Sequence, residues 1–334
     1  MEAYISAVSY YLPAQTLSNE ALANLFADQT IEKTANKIGI HTRHIASADE
    51  FASDMAVAAA QKLFIEHSIK PKDIDFILYC TQCPDYFLPS TCCIIQDRLE
   101  IPVRTGALDF NLGSSGYVYG LALAKGLIAA GIAKNILLLT ADTYSKFIHP
   151  NDKGNRTVFG DAAAATLIGT NGFARIGEFA LGTDGKGAQN LIVKEGAFRH
   201  PVKTANTIID EYGNEHTNSN LYMDGAEIFL FTSREVPVLI EETLAKNKVS
   251  QSEISQYILH QANHYILEHL RKKLRIEHEK FYVYLSKVGN TVSSTIPIAL
   301  CEAMKEKVSD AGMKWLLAGF GVGYSWAGTV ITFK

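Results

Sequence analysis

Short apolar runs alternate with stretches of helical period along most of this chain. Six apolar runs predict strands, at residues 76–80, 136–140, 164–168, 257–259, 315–318 and 329–333. Five longer stretches predict helices, at residues 53–67, 115–130, 232–246, 263–274 and 293–306. This alternation favours an α/β fold in which helices cover a buried sheet.

The strand and helix series occurs twice, and each series ends in a glycine-punctuated region, at residues 159–163 and 319–323. At about 150 residues per domain, a chain of this length agrees with two domains or one large duplicated domain. We expect an N-terminal half at residues 1–170 and a C-terminal half at residues 171–334. A polar stretch near residues 195–220 predicts a loop inserted between the two series.

Composition and charge narrow the function classes. The chain has 31 Lys and Arg residues against 35 Asp and Glu residues and lacks a basic run, which argues against binding to duplex nucleic acid. Its N-terminus has no basic segment of a secretory signal, and Lys125 and Lys134 interrupt the longest apolar stretch, so no membrane span is expected. Five cysteines favour reduced thiols in a cytoplasmic protein, and no metal site is expected.

A run of small residues at 109–117 marks the first candidate site. Small residues let the chain turn sharply from a strand into a helix, with Ser114 beside the first free N–H groups of that helix. These N–H groups and the helix dipole favour negative charge, which suits an attacking oxygen and an oxyanion. The same pattern is also typical of a serine that only caps the helix.

Two further segments carry candidate polar groups. His260 follows a predicted strand and precedes a predicted helix, at the end of a strand where open α/β sheets hold their sites. A histidine at this position is equally consistent with a structural role. Asn290 lies in a polar turn before a helix, so its amide either donates into a cleft or caps the helix.

Together these segments resemble β-ketoacyl-ACP synthase III of the thiolase-like superfamily. The resemblance covers almost the whole chain, with motifs in the family order at residues 39–44, 88–90, 109–120, 159–161, 222–225, 260–263, 289–291, 319–321 and 325–326. It implies an α/β fold of thiolase-like duplicated αβαβα layers, with two mixed five-stranded sheets and a central helix pair. It also implies a homodimer.

The resemblance implies an acyltransferase of fatty acid or polyketide biosynthesis, with Ser114, His260 and Asn290 at the catalytic positions. Residue 114 would take an acyl group from acyl-CoA or acyl-ACP, and the backbone N–H groups of Ser114 and Val322 would form the oxyanion hole. His260 and Asn290 would stabilise the enolate that forms when malonyl-ACP loses carbon dioxide. The partners implied are acyl carrier protein and acyl-CoA, both as substrates, with no permanently bound cofactor.

The family nucleophile is cysteine, whereas this chain has Ser114. A thiol is partly ionised near neutral pH, but a serine hydroxyl needs a general base, which His260 would supply from within hydrogen-bond reach. Three explanations stay open. The serine is a native nucleophile, as in some synthase-III-like starter-unit acyltransferases; or it is an engineered Cys→Ser change made to trap a ligand; or the chain has lost acylation and keeps only decarboxylation or binding.

The expected substrate-binding residues also depart from the family. Lys33 stands where the family often has a tryptophan that stacks on adenine, and Lys37 and Lys153 stand at family arginine positions. Lysines still attract phosphates but offer no stacking surface, which favours an acyl-ACP donor over acyl-CoA. Leu88 stands where the family residue reaches the partner's acyl tunnel, and its size favours a donor longer than acetyl. Asn263 is the remaining substrate-binding residue that the resemblance implies.

Three functions therefore compete. The leading hypothesis is condensation of the acyl group on residue 114 with malonyl-ACP. The enzymatic alternative is a synthase-III-like O- or N-acyltransferase that uses a serine acyl-enzyme, for which retention of both His260 and Asn290 is less necessary. The third possibility is a catalytically silent partner subunit of a heterodimer.

Overall fold

A computed structural model of the chain describes residues 1–28, 30–210 and 213–334. Its strands are β1 (Tyr4–Tyr11), β2 (Gln15–Ser18), β3 (Thr42–Ile45), β4 (Phe76–Cys80), β5 (Gly106–Phe110), β6 (Asn135–Asp142), β7 (Ala162–Gly169), β8 (Ala174–Thr183), β9 (Leu191–Ile192), β10 (Ile208–Ile209), β11 (Glu215–His216), β12 (Tyr222–Met223), β13 (Ile254–Leu259), β14 (Lys314–Gly321) and β15 (Ser325–Phe333). Its helices are α1 (Asn19–Phe26), α2 (Thr30–Ile38), α3 (Ala52–His67), α4 (Thr91–Arg98), α5 (Gly116–Ala129), α6 (Lys153–Val158), α7 (Gly225–Asn247), α8 (His264–Lys273) and α9 (Thr295–Glu306).

Nine strands form one mixed sheet in the order β5-β4-β6-β7-β1-β8-β15-β14-β13. The outer strands of each half pair in parallel, β4 with β5 and β6, and β13 with β14. The inner strands pair antiparallel, and β1 meets β8 through only two residue pairs, Tyr4 with Arg175 and Ile5 with Ala174. The two halves therefore have related strand patterns and are joined at this short central contact.

The α/β class predicted from the sequence is confirmed, but the strand count differs in the second half. Residues 1–170 supply five strands to the sheet, and residues 171–334 supply four. The second sheet was expected to have five strands. Phe281 makes only an isolated parallel bridge with Tyr257 of β13, so the residues that the structure describes contribute no continuous strand beyond β13.

Helices α5 and α9 form the centre of the fold. Both pack into one hydrophobic cluster with residues from the two halves of the sheet, including Leu78 of β4. The neighbours of Leu78 in the strand, Ile77 and Tyr79, point to the opposite face and pack with α3 and α4, as the alternation of side chains in a strand requires. A third cluster joins α7 and α8 to the second half. This arrangement gives the expected layers, with the helix pair in the middle.

The six strands predicted from apolar runs all lie within observed strands, and the five predicted helices overlap observed helices. The sequence patterns missed β1, β5 and β8, which complete the sheet. In the stretch near residues 195–220, the described residues are mostly exposed and form only the short strands β10 and β11. Within the described part of the chain, no helix is both long and apolar enough to cross a membrane.

Candidate active site

Ser114 is buried in the tight turn between β5 and α5. The turn is closed by a hydrogen bond from the Gly116 amide to the Gly113 carbonyl at 2.8 Å. A Cβ atom at Gly116 would lie 2.2 Å from the Cys80 sulfur, so this close start of the helix requires glycine. The residue at the N-cap position of α5 is Ser115, and its side chain makes no capping hydrogen bond. The capping role considered for Ser114 is therefore not observed.

The end of β14 passes directly against Ser114. A Cβ atom at Gly321 would lie only 3.3 Å from the Ser114 hydroxyl oxygen. Val322 follows, and its carbonyl accepts a 3.1 Å hydrogen bond from Ser325, whose hydroxyl is 2.6 Å from that of Ser115. These hydroxyls tie the loop of Val322 to the start of α5. The oxyanion hole of Ser114 and Val322 stays a prediction, and this packing supports it.

His260 lies at the end of β13 and is almost fully buried. Its amide donates to the Ala318 carbonyl of the neighbouring strand at 2.8 Å. Its ring packs edge-on to Phe320, with centroids 5.5 Å apart, and its Nδ1 lies 2.7 Å from the Thr295 hydroxyl. Burial lowers the pKa of His260 to about 3, because the charged imidazolium is poorly solvated there. The ring is therefore neutral near pH 7.

Hydrogen bonds fix the orientation of the Asn290 amide. Its Oδ1 accepts from the Val292 amide at 3.0 Å, which leaves the Nδ2 group to donate elsewhere. Its backbone pairs with Val158 and Gly160 on the neighbouring segment. Helix α9 begins only at Thr295, with Ser294 at the N-cap position, so Asn290 does not cap that helix. Of the two roles considered for this residue, the capping role is excluded, and donation of its amide into a cleft stays a prediction.

One cavity of about 100 Å³ brings these groups together. Its lining residues are Ser114, Tyr144, Val158, Phe159, Leu191, Met223, Gly225, Ile228, Thr232, His260, Ala262, Asn263, Ile266, Asn290, Val292, Phe320, Gly321 and Val322. None of these described residues carries a formal charge at neutral pH when His260 is neutral. A serine hydroxyl, a neutral imidazole and a side-chain amide thus share a mostly apolar cavity, in which electrostatic interactions are weakly screened.

Asn263 lies in the cavity wall, and its structural task is to cap α8. Its Oδ1 accepts from the Ile266 amide at 2.9 Å. A contact with substrate stays a prediction for this residue.

A second, larger cavity of about 430 Å³ adjoins the first, since Met223 and Gly225 line both. Its lining includes Lys153, Thr30 and Thr34. The Lys153 ammonium already has a partner in this cavity, since it forms an ion pair with Asp28 at 2.7 Å.

The other two lysines of the prediction lie outside these linings. Lys37 stands 4.8 Å from the centre of the Tyr265 ring, and Lys33 is exposed on α2. Neither is among the described residues that line the two cavities. A role of Lys33 or Lys37 in substrate binding therefore depends on a part of the substrate outside the cavities.

Leu88 lies on the surface, in an exposed apolar segment with Tyr86 and Phe87. Phe87 contacts the equally exposed Phe198, with ring centroids 5.5 Å apart. Within this one chain, Leu88 does not line the cavity of Ser114. Its predicted role in a tunnel requires a second copy of the chain.

A buried carboxylate supports the turn that holds Asn290. Asp142 accepts hydrogen bonds from the hydroxyl and amide of Ser293 and from the Gln82 amide. Burial raises the pKa of Asp142 to about 7, against the ordinary value of an aspartate. Neither Asp142 nor Thr295 was identified from the sequence, because each is brought to the site only by packing of distant segments.

Family models match two parts of the chain. Residues 108–185 match 3-oxoacyl-[acyl-carrier-protein (ACP)] synthase III, and residues 244–333 match the C-terminal part of the same family. The chain is 34% identical over 326 residues to a β-ketoacyl-[acyl-carrier-protein] synthase III of Caldanaerobacter subterraneus subsp. tengcongensis, with 97% of this chain and 96% of the relative covered. It is 35% identical over 322 residues to one of Clostridium perfringens, with 96% of each covered.

Solved structures agree with these matches. A crystal structure of a 3-oxoacyl-(acyl-carrier-protein) synthase III superposes with a TM-score of 0.96 at 47% identity, covering 100% of both chains. A 3-oxoacyl-(acyl-carrier-protein) synthase of Burkholderia xenovorans LB400 gives 0.91 at 35% identity, covering 100% of this chain and 94% of the other. With its thiolase-like layers and nearly full-length relatives, the chain belongs to the 3-oxoacyl-[acyl-carrier-protein] synthase III family.

Proposed function

We propose that this chain carries an acyl group on Ser114 and condenses it with malonyl-ACP, in the manner of a β-ketoacyl-ACP synthase III of fatty acid synthesis. The observation that carries the proposal is the shared cavity, in which the Ser114 hydroxyl, the neutral ring of His260 and the amide of Asn290 meet. Retention of both polar partners favours condensation over simple O- or N-acylation, because the enolate needs two donors at one oxygen.

The first half reaction is acyl transfer from a thioester to Ser114. A serine hydroxyl is a weak nucleophile at neutral pH and needs a base to take its proton. The ring of His260 is neutral near pH 7, so it has an unprotonated nitrogen that can accept this proton. The backbone N–H groups of Ser114 and Val322 would hold the negative oxygen of the tetrahedral intermediate, close to the start of α5.

The second half reaction is decarboxylation of malonyl-ACP and formation of a carbon–carbon bond. When the carboxyl group leaves as carbon dioxide, its electron pair passes into the thioester as an enolate. Asn290 Nδ2 would donate to the enolate oxygen, since its Oδ1 is already occupied by Val292. His260 would donate as the second group when its Nε2 carries a proton. The enolate carbon then attacks the acyl carbon and the bond from that carbon to Ser114 Oγ breaks. The serine oxygen takes a proton from His260 Nε2, and solvent replaces that proton on the ring.

The acyl donor and the assembly are part of the same proposal. Lys153 is paired with Asp28, so an acyl-CoA phosphate would have to compete with that carboxylate. This supports acyl-ACP as the preferred donor. The exposed apolar segment of Tyr86, Phe87 and Leu88 supports a homodimer in which the segment is covered by the second copy. The cytoplasm, where acyl-ACP is made, is the proposed location.

Intact protein mass tests the proposal directly. The chain is incubated with a panel of acyl-CoA and acyl-ACP donors, beside the variants Ser114→Cys and Ser114→Ala. We expect one acyl group on the unchanged chain, mapped to Ser114, and none on Ser114→Ala. Malonyl-ACP added to the acylated protein should then remove the acyl group and yield a β-ketoacyl-ACP.

Other outcomes distinguish the alternatives. Acylation of only the Ser114→Cys variant, followed by condensation, would identify the serine as a disabling substitution in a ketosynthase. Acylation without condensation, but with transfer to a hydroxyl or amine, would identify an O- or N-acyltransferase. A chain that forms no acyl-enzyme with any donor, in either form, would favour the catalytically silent subunit.

A further inference from the structure

His260 is held through its Nδ1 atom by the buried hydroxyl of Thr295, 2.7 Å away. The same hydroxyl lies 3.1 Å from the carbonyl oxygen of Val292 and donates to it. A hydroxyl has one proton to give, and a carbonyl can only accept. While the hydroxyl donates to Val292, its oxygen can only accept from His260, and this arrangement places the proton on Nδ1.

This tautomer leaves a lone pair on the other ring nitrogen. The neutral ring has a single N–H, and that group is directed to Thr295. Nε2 is then the nitrogen left for the cavity that also contains Ser114. In the resting protein, His260 thus offers an acceptor for the serine proton and cannot donate into the cavity.

The carbonyl that fixes Thr295 belongs to a strained residue. Val292 has a φ of 54°, in the left-handed region that β-branched residues rarely adopt. Its carbonyl accepts from Thr295, and its amide donates to Asn290 Oδ1 at 3.0 Å. One turn therefore orients both polar partners of Ser114, and strain of this kind is concentrated at functional sites.

We propose that Thr295 is a positioning residue that sets His260 in the Nδ1–H tautomer for acyl transfer. Its catalytic consequence rests on the function proposed above. As Ser114 Oγ forms a bond with the thioester carbon, its proton moves to His260 Nε2. The carbon–sulfur bond then breaks, and the proton passes from Nε2 to the leaving sulfur, which departs as a thiol. The ring returns to the same neutral tautomer.

Decarboxylation makes the opposite demand on the same nitrogen. The enolate oxygen needs an Nε2–H donor, and a neutral ring offers one only when Nδ1 is unprotonated. If the Thr295 hydroxyl turns from Val292 to donate to Nδ1, it supports that second tautomer, with proton exchange through solvent. A valine at 295 supports neither arrangement. It leaves Nδ1 unpartnered, and a buried N–H without an acceptor is costly, so the ring should move to the Nε2–H tautomer.

Nitrogen NMR of the full chain tests the tautomer without any substrate. Protein labelled with ¹⁵N-histidine is compared with Thr295→Val and with Thr295→Ser, which keeps the hydroxyl, and His260→Gln assigns the signals. We expect His260 to have a protonated Nδ1 in the unchanged chain and in Thr295→Ser, and a protonated Nε2 in Thr295→Val. A protonated Nε2 in the unchanged chain would overturn the proposal, even if Thr295→Val failed to fold.

The two half reactions give the kinetic test. General-base assistance contributes roughly 10²–10⁴-fold, so Thr295→Val should slow acylation of Ser114 by at least about tenfold. The rate at which unacylated Thr295→Val decarboxylates malonyl-ACP should stay the same or rise. The Thr295→Ser variant, which keeps the hydroxyl, should acylate Ser114 at the rate of the unchanged chain. Equal losses in both half reactions would overturn the proposal, because a merely structural role predicts them. If the unchanged chain has the expected tautomer and yet forms no acyl-enzyme, the proposed function fails while the tautomer assignment stands.

Discussion

The buried neutral ring of His260 should make the stability of the fold depend on pH in a defined direction. In the unfolded chain a histidine takes up a proton near pH 6.5, whereas burial lowers the pKa of His260 in the fold to about 3. Between these values the unfolded state binds more protons than the folded state. The stability provided by a neutral His260 is therefore full above pH 6.5 and is lost as the pH falls towards 3.

The magnitude follows from the same two values. One pKa unit corresponds to about 1.4 kcal/mol, so lowering the pH from 7 to 5 should cost the fold about 2 kcal/mol through His260 alone. Asp142 opposes this trend. Its pKa in the fold is raised to about 7, so the stability due to its protonated form is present below pH 4 and is lost as the pH rises to 7. The two contributions offset each other in the unchanged chain between pH 5 and 7.

A comparison with variants separates the two groups. Urea unfolding of the unchanged chain and of His260→Gln is measured at pH 7 and pH 5, at one protein concentration. Between pH 7 and pH 5, the unchanged chain should lose about 2 kcal/mol of unfolding free energy relative to His260→Gln. Relative to Asp142→Asn, the unchanged chain should instead gain unfolding free energy over the same pH change. If the His260→Gln difference changes by less than about 0.5 kcal/mol, the reasoning from burial is refuted.

Two further predictions concern the start of α5 and the larger cavity. Gly116→Ala should destabilise the fold by about 1–3 kcal/mol in urea unfolding, because its Cβ would lie 2.2 Å from the Cys80 sulfur. Adding Cys80→Ala should recover part of that loss, and equal losses in both backgrounds would contradict the steric cause. Asp28→Asn releases Lys153 from its ion pair and should lower the KM for acyl-CoA by roughly twofold at low salt, as steady-state kinetics can measure. This competition for phosphate would be excluded if Asp28→Asn left the KM unchanged. It would also be excluded if Asp28→Asn lowered the KM equally when Lys153→Ala was already present.

The sequence predicts strands well where a strand is buried on both faces. Strand β4 was predicted with its observed bounds, because the run at residues 76–80 is apolar throughout. Strand β8 was missed because Gly177 and Gly182 interrupt its pattern. A Cβ at Gly177 would lie 2.1 Å from the Asn247 side chain, and one at Gly182 would meet Trp326 at the same distance. These glycines are required by contacts with residues distant in sequence, and no local pattern reveals such contacts.

The residues of the candidate site also fall into two groups, those that local sequence indicates and those that only the structure reveals. Ser114, His260 and Asn290 each lie in a short motif next to a strand or helix, so local sequence marked them as candidates. Only the family resemblance implied catalytic positions for them. Thr295 and Val292 act through hydrogen bonds that exist only when the turn before α9 packs against the end of β13. A threonine in an apolar stretch carries no local signal of that role. Sequence therefore supplied candidates for the reacting groups, and structure was needed to find what orients them.

The stability of Ser114→Cys bears on why a serine stands at this position. Gly321 leaves space beside the Ser114 oxygen because it has no Cβ atom, which would otherwise lie in tight contact with that oxygen at 3.3 Å. A sulfur, which is larger than oxygen and sits on a longer bond, can occupy that space without displacing backbone. We therefore expect Ser114→Cys to change the free energy of unfolding by less than about 1 kcal/mol, measured by urea unfolding. With so small a change, any gain in acylation by the variant is chemical, because the thiolate is the stronger nucleophile. A loss of several kcal/mol would instead mean that the cavity is built around a serine, which argues for a native serine nucleophile paired with His260.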